Sequence, residues 1–107
     1  MNMKSFTLVY TDTAAFQLRD IVQYIAEASG DPQTARNWYN EAKATLSLLA
    51  DQPYMGRKPR QAIIRAMGYR MLVIGNYLAF YSVSDQEKRV NIEAIVDGRR
   101  EYLRLLQ

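Results

Sequence analysis

In the first half of the chain, apolar side chains recur every three or four positions, which is the spacing of one face of an α-helix. One such stripe runs from Ala14 to Ala28 and a second from Ala35 to Leu49. Gly30 suits the end of the first helix, and Asp31-Pro32 suits the start of the second, because the carboxylate caps free amides and proline lacks an N–H. The short connection predicts an antiparallel helical hairpin.

The other apolar runs are short or alternate with polar residues, as in β-strands. Strands are predicted at residues 6–10, 69–74, 77–83 and 89–96. Gly75-Asn76 joins the second and third as a tight turn, and residues 51–61 form a loop. We therefore expect an α+β fold, in which the helical hairpin packs on a small, mainly antiparallel sheet. The pattern leaves open whether the first strand lies at an edge or centrally, and which sheet face is buried.

The C-terminal segment, residues 99–106, predicts one or two helical turns after Asp97-Gly98. We expect Tyr102, Leu105 and Leu106 to face the sheet. Since 107 residues are too few for two independent cores and 49% of them are hydrophobic, we expect residues 1–107 to form a single compact domain. No apolar stretch is long enough to span a membrane, so we expect a cytoplasmic protein without a membrane partner.

The residue types that are missing exclude several kinds of chemistry. The chain has no cysteine and no histidine, so a histidine-dependent triad and a zinc site of cysteine and histidine are ruled out. The acidic residues form no recognised metal loop, and the glycines form no phosphate-binding loop. We therefore expect neither a metal nor a cofactor.

Charge is distributed unevenly along the chain. Residues 1–54 hold four basic and six acidic side chains, whereas residues 55–107 hold ten basic and five acidic ones, eight of the ten being arginine. Arginine suits forked contacts to phosphate or carboxylate, so this half is expected to meet an anionic macromolecule, the alternative being an ordinary solvated surface. The candidate target-binding residues are Arg57, Lys58, Arg65, Arg70, Arg99 and Arg100.

Metal-free RNA cleavage is one activity that a basic cluster supports. It needs proton transfer at the 2′-hydroxyl and the leaving oxygen, and positive charge on the phosphorane. Arginines supply the charge, whereas Tyr102 or Lys58 would transfer protons only with a lowered pKa. The candidate nuclease residues are Arg65, Arg70, Arg100 and Tyr102. The alternative role for Tyr102 is to dock the last helix.

Four segments together resemble the RelE/ParE toxin superfamily of bacterial type II toxin–antitoxin modules. The first is Leu49-Ala50-Asp51-Gln52-Pro53-Tyr54-Met55-Gly56-Arg57, after the helical hairpin. The others are the pair Tyr69-Arg70-Met71-Leu72 and Tyr77-Leu78-Ala79-Phe80-Tyr81, and the ending Asp97-Gly98-Arg99-Arg100-Glu101-Tyr102. The similarity extends from Phe6 to Leu106, and the order of the segments is more specific than any one of them.

The resemblance implies a cytoplasmic toxin that a cognate antitoxin neutralises, with promoter DNA bound only through the antitoxin. RelE-like members cut messenger RNA on the ribosome, and ParE-like members inhibit DNA gyrase. The Gly98-Arg99-Arg100-Glu101 ending and the absence of a histidine–tyrosine ending resemble the ParE-like side, although Asp97 stands where histidine is common. Gyrase inhibition is therefore the favoured expectation. Ribosome-dependent RNA cleavage and an inactive binding module are the alternatives.

An antitoxin would cover apolar surface and neutralise nearby arginines. We expect it to contact the second and third predicted strands, with the outer faces of the helical hairpin as an alternative. The candidate antitoxin-binding residues are Leu72, Ile74, Leu78 and Phe80.

Overall fold

The computed structural model describes residues 5–106, apart from the side chain of Arg104. The helices are α1 (Asp12–Ser29), α2 (Pro32–Ser47) and the short α3 (Ala62–Ala66). The strands are β1 (Thr7–Tyr10), β2 (Arg70–Ile74), β3 (Tyr77–Ser84) and β4 (Arg89–Asp97). Two 3₁₀ turns complete the described chain, at Leu48–Ala50 and Leu103–Leu106. Within the described residues, no helix is long and apolar enough to cross a membrane.

The boundaries of the helical hairpin follow from its capping residues. The hydroxyl of Thr11 accepts a hydrogen bond from the amide of Ala14 at 3.1 Å, which caps α1. Gly30 ends α1 with φ at 69°, a backbone conformation that glycine adopts without strain. The Asp31 carboxylate then accepts from the amide of Gln33 at 3.1 Å and caps α2. These local signals confirm both predicted helices.

The four strands form one sheet in the order β1-β4-β3-β2. The pairs β2–β3 and β3–β4 are antiparallel, whereas β1 lies parallel to β4 at the edge. The position of the first strand, which the sequence left open, is therefore peripheral. The prediction of a mainly antiparallel α+β fold is confirmed.

Both faces of the sheet are covered by other parts of the chain. On one face, the helical hairpin buries a main core that includes Leu46, Leu72 and Tyr81. On the other face, α3 and the C-terminal segment enclose a second cluster around Ile64 and Phe80. The alternation of side chains along β2 thus sends Leu72 to the helical hairpin and Met71 to the second cluster.

Two details differ from the expectations. The helix α3 was not predicted, because it is a single turn of five residues without a side-chain cap. In place of the predicted C-terminal helix there is a 3₁₀ turn at Leu103–Leu106. Leu106 in this turn and Tyr102 just before it pack on the second cluster, as expected. The prediction that Leu105 faces the sheet is wrong, because 58% of this residue is exposed to solvent.

Candidate functional site

The predicted basic residues fall into two groups at different ends of the sheet. Lys58, Arg65 and Arg70 line a cleft of about 320 Å³, which we call the loop cleft. Arg99 and Arg100 lie beyond the end of β4. Because Arg70 begins β2 and the register aligns the end of β2 with Asp97, the two groups are separated by about 13 Å along the strands.

Arg70 is committed to the loop before α3. Its guanidinium donates to the carbonyl of Tyr54 at 3.1 Å and to that of Gly56 at 2.8 Å, and lies 5.3 Å from the centre of the Tyr54 ring. The backbone of Arg57 exchanges two hydrogen bonds with Met71, at 2.8 and 3.0 Å, so the loop extends the edge of the sheet. Arg70 therefore holds the loop in place.

Arg65 is committed in a similar way. Its guanidinium donates to the carbonyl of Pro59 at 2.9 Å and also to that of Arg60. Pro59 itself is fully buried, so the loop is anchored at this point. Neutral carbonyls do not cancel the charge of Arg65, but they fix the orientation of its guanidinium group. Arg65 and Arg70 thus contribute a positive potential to the loop cleft while their donors are partly used.

The exposed cations of the loop are Arg57, Lys58 and Arg60, which we call the loop cations. Among the described residues, none of the three forms an ion pair. Exposed, unpaired cations are available to an external anion, and they strengthen association with an acidic surface. Arg60 lies outside the predicted set of target-binding residues, although its position in the same exposed loop was visible in the sequence.

The tyrosines of the loop cleft are unsuited to remove a proton at neutral pH. Tyr54 donates a hydrogen bond to the Asp85 carboxylate at 2.6 Å, and this bond raises the pKa of Tyr54 above its usual value. Burial raises the pKa of Tyr69. A base must lose its proton near the working pH, so both shifts act against a catalytic role.

Arg99 and Arg100 share one carboxylate. Arg99 forms a bidentate pair with Asp97, with both N–O distances at 3.0 Å, and Nε of Arg100 lies 3.7 Å from the same carboxylate. Hydrogen bonding to Arg99 lowers the pKa of Asp97, and the same bond raises the pKa of Arg99. These two arginines, predicted to bind the target, are thus partly neutralised by their own chain.

The four candidate nuclease residues come together only in pairs. Arg65 and Arg70 line the loop cleft, whereas Arg100 and Tyr102 line a separate cleft of about 390 Å³. The Tyr102 hydroxyl accepts a hydrogen bond from the side chain of Gln61 at 3.0 Å, and its ring packs on Phe80. This is the docking role that was the alternative for Tyr102. Within residues 5–106, no group of acidic side chains is arranged to hold a metal ion.

Three of the four candidate antitoxin-binding residues are covered by the chain itself. Leu72 and Ile74 lie in the main core, at 9% and 6% exposure, and Phe80 is fully buried in the second cluster. Only Leu78 keeps an intermediate exposure. An antitoxin contact at these positions stays a prediction. Because the other three side chains are buried, Leu78 is the member of the predicted set that a partner can reach, and further contacts would come from residues outside the set.

Sequence reasoning missed an apolar groove between α1 and the end of β4. It has a volume of about 610 Å³, and its walls include the exposed side chains of Phe16, Tyr24 and Leu105. Phe16 and Tyr24 do not belong to the buried stripe of α1 that begins with Ala14 and Leu18. Two aromatic residues outside the buried stripe of a helix were the signal available in the sequence.

Comparisons with known proteins agree with the fold. The sequence model of the ParE toxin family, described as "ParE toxin of type II toxin-antitoxin system, parDE", matches residues 8–102. The chain belongs to this family, which confirms the resemblance to the RelE/ParE superfamily and its ParE-like side. No curated protein matches the sequence.

Two solved structures have a similar fold. The first is a chain of the chromosomal ParDE toxin–antitoxin system from P. aeruginosa, with a TM-score of 0.71 and 21% identity, covering 87% of this chain and 96% of that chain. The second is a chain of the toxin–antitoxin complex RelBE2 from Mycobacterium tuberculosis, with a TM-score of 0.58 and 19% identity, covering 87% and 98%.

Proposed function

We propose that this chain is the toxin of a type II toxin–antitoxin pair, that it arrests growth by binding and inhibiting DNA gyrase, and that a cognate antitoxin neutralises it. Membership of the ParE toxin family supports the general role. The observation that carries gyrase inhibition over RNA cleavage is the separation of the candidate nuclease residues into two pairs.

Cleavage of RNA requires a base, an acid and positive charge around one phosphate. In this chain, the donors of Arg65 and Arg70 are directed at loop carbonyls, and Arg100 is paired with Asp97. The hydroxyl of Tyr102 accepts a hydrogen bond from Gln61 and its ring packs on Phe80, so this side chain lines a different cleft from Arg65 and Arg70. The sequence offers no histidine to replace these groups. A binding function needs none of these proton transfers, so it is the better fit to the geometry.

The loop cations are the proposed contact with gyrase. They are exposed, they belong to a loop that Arg70 fixes to the sheet, and they carry three charges without an ion pair among the described residues. A rigid loop loses little conformational entropy on binding, and clustered cations accelerate the encounter with an acidic surface. Of the other predicted target residues, Arg65 and Arg70 direct donors at loop carbonyls, and Arg99 would first have to leave its bidentate pair with Asp97.

The antitoxin is proposed from family membership and from the two similar structures, whose names describe toxin–antitoxin systems. It would mask this chain until growth arrest is required. Contact with promoter DNA is assigned to the antitoxin alone.

The test compares two assays on the purified chain. We expect inhibition of supercoiling by purified gyrase and intact messenger RNA in a translating ribosome preparation. For a variant with Arg57→Gln, Lys58→Gln and Arg60→Gln, the concentration needed to inhibit gyrase should rise about tenfold or more, because three cationic contacts are lost. Arg36→Gln, which changes one exposed arginine on α2, is the matched control and should act like the unmodified chain.

The opposite result is equally definite. Ribosome-dependent cleavage that disappears in Arg100→Ala or Tyr102→Phe, with gyrase unaffected, would replace the proposal with the nuclease alternative. Circular dichroism of each variant separates these outcomes from a loss of folding.

A further inference from the structure

One exposed side of α1 carries a repeating pattern of acidic and aromatic residues. At intervals of four positions, its members are Asp12, Phe16, Asp20 and Tyr24. This spacing keeps them along one side of the helix, over a length of about 18 Å. Phe16 and Tyr24 are 60% and 52% exposed. We call this set the α1 stripe.

The α1 stripe forms one wall of the apolar groove. Buried residues at the end of the sheet, including Tyr77 and Val96, form its floor, and the exposed Leu105 stands on the opposite side. Exposed aromatic residues that flank an apolar floor are typical of a surface that another protein covers. The length of the α1 stripe fits about 12 residues of a second helix.

The charge of the groove selects the kind of partner. Among the described residues, Asp12 and Asp20 form no ion pair. Asp97 and Arg100 also line the groove, but Arg100 lies 3.7 Å from the Asp97 carboxylate, which Arg99 pairs as well, so the unpaired charges of the groove are the two carboxylates of α1. Asp12 also stabilises the positive end of the helix dipole in the first turn of α1. Asp20 lies in the middle of the helix and has no such role, so its carboxylate is available to a cation.

We infer that the groove receives an amphipathic helix of the antitoxin that carries arginine or lysine every four residues beside leucine-like side chains. Apolar side chains would fill the floor. Arginines would pair with Asp12 and Asp20 and stack on Tyr24, while Phe16, whose ring centre lies 5.9 Å from the guanidinium of Arg19, would pack against the apolar side chains of the partner. This inference rests on the proposed pairing with an antitoxin. It adds that the docking segment is locally basic, although the toxin itself has a net charge of +3.

Two synthetic helical peptides test the inference. Both have the same leucine face, and they differ only in carrying arginine or glutamate at two positions four residues apart. In fluorescence anisotropy with the purified chain, the arginine peptide should bind about tenfold or more tightly than the glutamate peptide, since like charges oppose binding. The anisotropy is read without gyrase, so its outcome is independent of the supercoiling assay.

Variants of the chain test whether the arginine peptide binds in the groove. Asp20→Asn should weaken the arginine peptide about twofold to fivefold, as for a partly exposed ion pair. Phe16→Ala should weaken it about tenfold, as for an aromatic anchor. The matched controls are Glu27→Gln, an acidic residue of α1 outside the groove, and Leu48→Ala, an apolar residue that is 51% exposed. Neither control should change the affinity.

Charge reversal is the decisive experiment. Asp20→Lys should weaken the arginine peptide and strengthen the glutamate peptide, a change of preference that misfolding would not produce. Equal affinity for the two peptides, failure of the arginine peptide to bind, or an unaltered preference in Asp20→Lys would overturn the inference. If supercoiling is inhibited while the peptides fail, the gyrase proposal stands and the docking inference falls.

Discussion

At the scale of single residues, Gly56 is the glycine at which an added Cβ atom would meet the closest neighbours. A Cβ atom there would lie 2.5 Å from the hydroxyl of Tyr81 and 2.6 Å from the carbonyl of Met71. The hydroxyl is fixed because it accepts a hydrogen bond from the amide of Gly56 at 2.9 Å, and the carbonyl is fixed in the sheet. The sequence showed a glycine in a loop, but only the structure reveals this close approach.

We therefore expect Gly56→Ala to lower the free energy of unfolding by about 1–3 kcal/mol, the usual cost of overpacking. Urea denaturation followed by the fluorescence of Trp38 measures this change. Gly98→Ala is the matched control, because its Cβ would meet mainly Leu78, a side chain that can move. Equal destabilisation by both substitutions would show that crowding against fixed atoms is not the cause.

Asp97 gives a prediction about pH. Hydrogen bonding to Arg99 lowers the pKa of Asp97 in the folded chain below its ordinary value of 3.8. The folded state thus binds fewer protons than the unfolded state in this range, so the contribution of Asp97 to stability is present above about pH 4 and is lost as the pH falls through the lower, folded pKa. Asp97→Asn should flatten this acid-side loss.

Denaturation of the unmodified chain and of Asp97→Asn, measured from neutral pH down to the acid transition, checks the prediction. Asp31 provides the comparison, because hydrogen bonding to Thr34 lowers its pKa as well and Asp31→Asn should flatten the same region. The idea fails if Asp97→Asn loses stability on acidification as steeply as the unmodified chain.

At the scale of secondary-structure elements, the sequence was most informative where structure is determined locally. The helical hairpin was predictable because Thr11, Gly30 and Asp31 act on their immediate neighbours. The strands were predictable from their short apolar runs and the Gly75-Asn76 turn. The edge position of β1 was not, since its partner β4 lies about eighty residues away and either location satisfies the same pattern.

The candidate site was predictable only in part, for a similar reason. The enrichment of arginine in the second half is visible in the sequence, and so are the residues of the loop cleft. The use of Arg70 is not visible, because it depends on how residues 54–57 return to the sheet edge. Likewise, the burial of Phe80 depends on α3 and the C-terminal segment, two elements with weak sequence signals.

Arg70 links the loop to β2, and this role can be measured. Arg70→Lys keeps the charge, but its shorter side chain lacks the planar guanidinium whose Nη2 donates to both carbonyls. We expect the free energy of unfolding to fall by about 1–3 kcal/mol, as for the loss of hydrogen bonds to a charged group. Amide hydrogen exchange at Arg57 and Met71 should accelerate, because their two backbone hydrogen bonds depend on the same loop. Arg36→Lys on α2 is the control, and unchanged exchange in Arg70→Lys would contradict the role.

At the scale of the whole molecule, the uneven charge along the chain becomes two different surfaces. The acidic half supplies the α1 stripe, with Asp12 and Asp20 beside an apolar groove. The basic half supplies the loop cations beside the loop cleft. Under the proposed function, the first surface would meet the antitoxin and the second would meet gyrase. The net charge of +3 is therefore the sum of an acidic surface, expected to prefer a basic partner, and a basic surface, expected to prefer an acidic one.

The two surfaces should differ in their response to salt. Contacts between exposed charges are screened beyond about 8 Å at physiological ionic strength, whereas apolar burial is not weakened by moderate salt. Inhibition of gyrase, proposed to depend on the loop cations, should decline as salt rises. Binding of the arginine peptide to the groove should decline less, because Phe16, Tyr24 and the apolar floor contribute most of its affinity.

A titration of the gyrase–toxin affinity against salt measures the first dependence, and the same titration with the arginine peptide measures the second. The variant with Arg57→Gln, Lys58→Gln and Arg60→Gln should show a shallower salt dependence with gyrase and an unchanged one with the peptide, because these residues lie outside the groove. If the variant altered both titrations equally, the charge effect would be one of the whole chain rather than of the loop. In that case the division of the molecule into two recognition surfaces would be wrong.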